Sequence, residues 1–177
     1  MSTWLDDENR VRDRYHKENL KLLIWGPGKP EKGSSNKFYD KRVQMKEILR
    51  EKFPFAEVYF SEDQEMRDLS KDIIGELNKE AYQAKIADAI IILLVSRGSN
   101  LELDYFVPKY DWFPKKTYIL IEEKYHETKG LVKDVLERLK PDQIIPFTEK
   151  ELDECKVAKG HTLRFAKTIA CMRYLDS

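Results

Sequence analysis

Glu102 ends the stretch "VSRGSNLE", residues 95–102, which leaves the most apolar run of the chain, "AIIILLV" at 89–95. An apolar strand that exits into Ser-Arg-Gly-Ser, with a helix expected to start near Asn100, puts this carboxylate in a first helical turn. The helix dipole there favours the ionised form. An ionised glutamate at such a place can attack an anomeric carbon or stabilise an oxocarbenium-like transition state, as in retaining glycoside chemistry. The plainer reading is a glutamate that only complements the dipole. The local residues leave both open.

A second stretch offers binding groups. "LLIWGPGKP", residues 22–30, runs apolar into Gly26-Pro27-Gly28 and continues as a polar, basic loop to residue 37. Glycines let backbone amides approach an anion, and the helix start that follows adds positive partial charge. Ser34, Ser35 and Asn36 supply hydroxyl and amide groups, and Lys29, Lys32 and Lys37 supply charge. The same residues also suit an ordinary solvated loop. Neither "GxxxxGK[ST]" nor "GxGxxG" is present, so neither familiar nucleotide motif applies.

Other chemistries find less support. His16, His126 and His161 lack ligand spacing with the cysteines, so no metal site and no resident cofactor are expected. No nucleophile elbow is present for a Ser-His-Asp hydrolase. Cys155 and Cys171 read as reduced thiols, and no secretory signal is seen, which sets a cytoplasmic expectation. The 32 basic and 32 acidic residues cancel, so nothing global draws the chain to double-stranded nucleic acid or to anionic membrane. No apolar run approaches the ~20 residues that span a bilayer.

The elements that must position these groups follow from periodicity. With 177 residues, 41% of them hydrophobic, the chain suits one compact domain. Residues 1–19 read as a charged helix, with Trp4, Leu5, Val11 and Tyr15 as a narrow stripe that docks on the body or on a partner. Residues 20–177 form the domain. Strands are expected at 20–25, 56–60, 89–95, 116–123 and 143–147. Helices are expected at 38–53, stopped by Pro54, at 66–87 with Gly75 as an interior defect, from near 100, at 130–140 and at 161–175. Continuous β-branched strands separated by helices imply an α/β fold. We expect a doubly wound, mostly parallel five-stranded sheet, Rossmann-like or flavodoxin-like, with helices on both faces. Ligands bind beyond the carboxyl ends of such strands, so the loops after residues 25, 60, 95 and 121 matter most. "DYFVPKYDWFP", 104–114, is dense in aromatics that can stack on a base, form a dimer contact or simply pack the core.

Taken together, "IWGP" (24–27), "AKIADAIIILLV" (84–95) and "GSNLE" (98–102) resemble the nucleoside 2-deoxyribosyltransferase-like superfamily over roughly residues 20–125. The resemblance implies that Glu102 takes the sugar's anomeric carbon. It matches Ser96 to a position touching phosphate in the nucleotide-cleaving branch, and Gly98-Ser99 to the usual glycine–small pair. A second carboxylate of that family falls on Glu80, where aspartate is usual, while Asp88 opens a strand and reads as structural. Leu23 stands where a tyrosine is frequent, and Leu103-Asp104 follows Glu102 where the family usually places a glycine. Both departures point away from a simple deoxynucleoside, and the basic first loop favours a phosphorylated substrate.

A TIR-like NAD glycohydrolase is a neighbouring resemblance, though the Trp-Cys pair frequent before its glutamate is missing. A non-catalytic nucleotide sensor on the same sheet is an alternative of another class. The sequence therefore points to N-glycosidic cleavage of a nucleotide or dinucleotide through Glu102 and Glu80, by hydrolysis or transfer. Gly26, Pro27, Gly28, Lys32, Ser34, Ser96, Gly98 and Ser99 would bind the substrate. The resemblance also implies a homo-oligomer, and a place in nucleotide salvage or bacterial defence.

Overall fold

The computed structural model describes residues 17–95, 97–126 and 135–176, with the side chains of 97–102, 126 and 176 outside that description. Five parallel strands form one sheet: β1 (Lys21–Trp25), β2 (Glu57–Phe60), β3 (Ala89–Leu94), β4 (Thr117–Glu122) and β5 (Ile144–Phe147). Their spatial order is β2-β1-β3-β4-β5. The central β3 and β4 are buried at every position, as "AIIILL" and "TYILIE" require when both faces are covered. In the edge strands β2 and β5 buried positions alternate with half-buried or exposed ones. Register runs Ile24 to Phe60 on one side of β1 and Ile24 to Ile91 on the other.

Helices cover both faces. On one, α1 (Lys37–Lys52) buries Met45 and Leu49 against Leu22, Ile24, Ile91 and Leu93. It ends before Phe53-Pro54, where proline forbids another turn. The rest of that face is closed by α7 (Thr162–Asp176), through Phe165, Ala166 and Ile169. The other face holds α2 (Gln64–Leu69), α3 (Glu76–Ile86) and α4 (Arg97–Lys109), which contribute Met66, Ala81, Ala84, Leu103 and Phe106. Two short helices, α5 (Glu123–His126) and α6 (Glu149–Asp153), follow β4 and β5. This is the doubly wound α/β fold expected from the alternation of strands and helices.

Two local expectations are corrected. The helix expected at 66–87 is two helices, because Gly75 sits at φ +87° as the N-cap of α3 instead of lying inside a helix. The helix after β3 starts at Arg97 and has no acidic residue in its first turn, so Glu102 lies in the second. A dipole's hold fades beyond the first turn, so it does not account for ionisation of this group. The helix expected at 130–140 falls partly outside the described residues, as do residues 1–16 of the N-terminal segment.

At the amino end of the sheet Asp88 is structural. Its Oδ2 accepts from the Lys21 amide at 2.6 Å, and Oδ1 pairs with Arg173 of α7. Among the described residues no helix is long and apolar enough to cross a membrane.

Candidate functional site

In this strand order the chain leaves β1 toward β2 on one side and β3 toward β4 on the other. The carboxyl ends of β1 and β3 are therefore the switch point, where the diverging loops leave a crevice. From β1 comes the turn Gly26-Pro27-Gly28. A Cβ on Gly26 would stand 3.2 Å from Leu93 Cβ and 3.3 Å from Leu93 O, so only glycine lets the turn cross β3 this closely. The loop then reaches Asn36, whose Oδ1 caps α1 by accepting from the amides of Phe38 (3.0 Å) and Tyr39 (3.4 Å). Lys37, the first residue of α1, pairs with Glu149 just after β5, so the loop runs across the mouth of the sheet.

Arg42 holds the turn in place. It lies on the buried face of α1 and donates from Nη2 (2.8 Å) and Nε (3.3 Å) to Ile24 O, and from Nη1 (3.3 Å) to Pro27 O. The same guanidinium makes a fork to Glu62, after β2, at 2.6 and 2.8 Å, and stacks over the Phe60 ring at 4.1 Å. One buried cation thus ties the ends of β1 and β2 together. Neither residue stands out in the sequence, because a charge on a helix's apolar face reads as solvated. The signal present was spacing: Arg42, Met45, Leu49 and Phe53 share one buried stripe.

Beside Glu62 opens a cleft of about 550 Å³ between α2 and α3, at the carboxyl end of β2. Glu80 lines it, half-buried on the fifth residue of α3, and burial, with the nearby charge of Glu76, raises its pKa above the ordinary carboxylate value. Gln83, one turn on, donates from Nε2 to Ser61 O (3.4 Å), Met66 O (3.1 Å) and Ser70 Oγ (3.0 Å), which locks α2 against α3.

The expected site residues divide as follows. Gly26 and Pro27 are half-buried at the switch point, and Gly28 is exposed beside them. Lys32 and Ser34 are exposed farther along the loop, with the Ser34 hydroxyl donating to Glu31 O at 2.8 Å. Ser96 lies outside the described residues, Gly98 is placed by its backbone alone, and the side chains of Ser99 and Glu102 lie outside the description. Backbone placement still relates the two carboxylates. Both α3 and α4 begin at the carboxyl end of the sheet, on the same face, with Glu80 fifth in one and Glu102 sixth in the other.

The aromatic segment packs largely as core. Phe106 and Phe113 are buried, with ring centroids 5.5 and 5.6 Å from Trp25, while Tyr105, Tyr110 and Trp112 are half-buried around them. Among the described residues no group of three or more His, Cys, Asp or Glu is placed to hold a metal. Buried polar atoms lacking partners among the described residues include Trp25 Nε1, Gln83 Oε1 and Glu122 Oε2, all toward the carboxyl ends of the strands.

No family model matches this chain, and no curated protein matches it. Among solved structures it is similar to RosB with bound intermediate OHC-RP (8-demethyl-8-formylriboflavin-5'-phosphate). The TM-score is 0.55 at 13% identity, covering 89% of this chain and 80% of that one. At such identity the likeness establishes the shared α/β fold.

Proposed function

We propose that this chain is an enzyme that breaks the N-glycosidic bond of a nucleotide or NAD-like substrate. The Glu102 carboxylate attacks the anomeric carbon as the bond to the base breaks, and the base nitrogen takes the electron pair. Glu80 is the second carboxylate, and its raised pKa suits it to hand a proton to the departing base of a nucleotide, whereas nicotinamide leaves an NAD-like substrate already neutral and needs none. Water then releases the sugar from Glu102. Hydrolysis is preferred to transfer because no residue here is assigned to hold an incoming base. Gly26, Pro27, Gly28, Ser96, Gly98 and Ser99 line the sugar-phosphate side, with Lys32 and Ser34 farther along the same loop. Two free thiols fit a reducing, cytoplasmic setting, and we assign residues 1–19 to docking on the body or on a second copy in a homo-oligomer.

One observation carries this reading. The helices that carry Glu80 and Glu102, α3 and α4, both begin at the carboxyl end of the sheet and pack on one of its faces, and the glycine turn leaves β1 at that same end. RosB, of the same fold, holds a phosphorylated flavin derivative, which favours a ligand joining a heteroaromatic ring to a phosphate. The test is to incubate the chain with nucleotides and with NAD and to follow free base or nicotinamide by chromatography. Base release that is lost in Glu102→Gln is the expected result. Release that persists in Glu102→Gln refutes the nucleophile. Tight nucleotide binding without any release supports a sensor instead.

A further inference from the structure

The cleft between α2 and α3 holds more charge than a second carboxylate needs. Of its basic residues, Lys79 is paired with Glu76 at 2.7 Å, whereas Arg67 and Lys71 have no ion pair among the described residues. Both are exposed and four residues apart, across the end of α2. Of its acids, Glu62 is paired with Arg42 and Glu76 with Lys79, Glu80 is drawn toward its neutral form, and Asp68, which accepts from the neutral Gln64 amide at 2.8 Å, is the one anion left to set against the two cations. The walls are fixed, because the Gln83 amide and the Ser70 hydroxyl, itself bonded to Met66 O at 2.8 Å, tie α2 to α3. A fixed, open cleft with two unpaired cations is a place for an anion.

The cleft also adjoins the switch point. Glu62 forms part of its wall, and the Arg42 fork on Glu62 donates directly to Pro27 O in the glycine turn. We infer that Arg67 and Lys71 form a second anion subsite, so that the site takes a pyrophosphate-bearing ligand rather than a mononucleotide. This rests on the reading of the mouth as a nucleotide site. One phosphate lies at the turn, and the second is received past Glu62 by the two cations.

Calorimetric titration with AMP, ADP and NAD tests this. ADP and NAD are expected to bind roughly tenfold or more tighter than AMP, the scale of a charge-assisted contact. In Arg67→Gln/Lys71→Gln that gain disappears while AMP affinity stays within about twofold. Both residues are exposed, so folding of the variant is not at risk. A gain for ADP alone assigns the cleft to a terminal phosphate, and a gain for both assigns it to a bridging pyrophosphate. Equal affinities in the native chain, or a gain that survives the double substitution, overturn the inference. If none of the three binds, the nucleotide reading of the mouth falls and takes the subsite with it. If the expected pattern appears without any base release, the proposed reaction fails and the subsite stands.

Discussion

Replacing Arg42 by methionine tests whether the glycine turn is held by one buried cation. The Arg42 side chain is 2% exposed, and its guanidinium spends its donors on Ile24 O, Pro27 O and the Glu62 carboxylate. Methionine keeps much of the volume and the contact with Phe60, so the loss is mainly polar. Charged hydrogen bonds are worth about 1.5–3 kcal/mol each, and two carbonyls lose them. Lengths of 3.3 Å for two of the three bonds argue for the lower end. Glu62, at 33% exposure, can turn its freed carboxylate to water, which adds about 1 kcal/mol at most. The sum is roughly 3–4 kcal/mol. Glu62→Gln should cost as much or more, about 3–5 kcal/mol, because it leaves the buried guanidinium without its counter-charge and turns an amide N–H toward one of its donors. Urea denaturation followed by circular dichroism reads both as shifts in midpoint at constant slope. Arg42→Met costing under about 1 kcal/mol would refute the account of the turn.

Three further substitutions probe neighbouring features. Gly26→Ala places a Cβ 3.2 Å from Leu93 Cβ, an overpacking that should cost about 2 kcal/mol, seen as a Tm lower by roughly 4–8 °C. Gly75→Ala discriminates by sign: at φ +87° alanine should destabilise by about 1–2 kcal/mol, whereas in a helix interior it would stabilise. Glu80 has its folded pKa raised above the unfolded value, so its contribution is fullest below the unfolded pKa and falls as pH rises through the folded one. Glu80→Gln should therefore gain stability relative to the native chain between pH 3.5 and pH 7, by denaturant melts at both. An equal difference at the two pH values would contradict the shift.

The sheet was legible because its strands are. Ala89–Leu94 and Thr117–Glu122 are continuous apolar runs, and only burial on both faces explains such runs in a charged chain. Helix boundaries were harder where a glycine's role depends on its backbone angle, as at Gly75, or where a polar stretch can start a helix early, as at Arg97. Asn36 looked like a ligand group because a capping amide and a binding amide are the same residue type until the helix start is fixed. Arg42 and Glu62 were invisible for a deeper reason. Their meaning lies in a pairing across twenty residues of chain, which no local pattern encodes.

The two ends of the sheet use their acids differently, and the difference argues for where a ligand belongs. At the amino end Asp88 is saturated: a backbone amide holds one oxygen and Arg173 the other. At the carboxyl end Glu122 is 7% exposed, yet only its Oε1 is paired, with Lys124 at 2.7 Å, and its Oε2 has no partner among the described residues. A buried unsatisfied acceptor costs about 1–3 kcal/mol, more when charged, so a fold selected for stability alone would fill it. The same end holds Trp25 Nε1, Gln83 Oε1 and the carboxyl of Glu80, whose proton affinity burial has raised. These polar groups gather at the end of the sheet where the proposed site lies. Because Asp88 already has partners on both oxygens, its replacement by asparagine should disturb stability, whereas Glu122→Gln, relieved of a buried charge, should leave the fold at least as stable by the same urea midpoints. A large loss of stability in Glu122→Gln would make that carboxylate structural and remove it from the mouth's reserve.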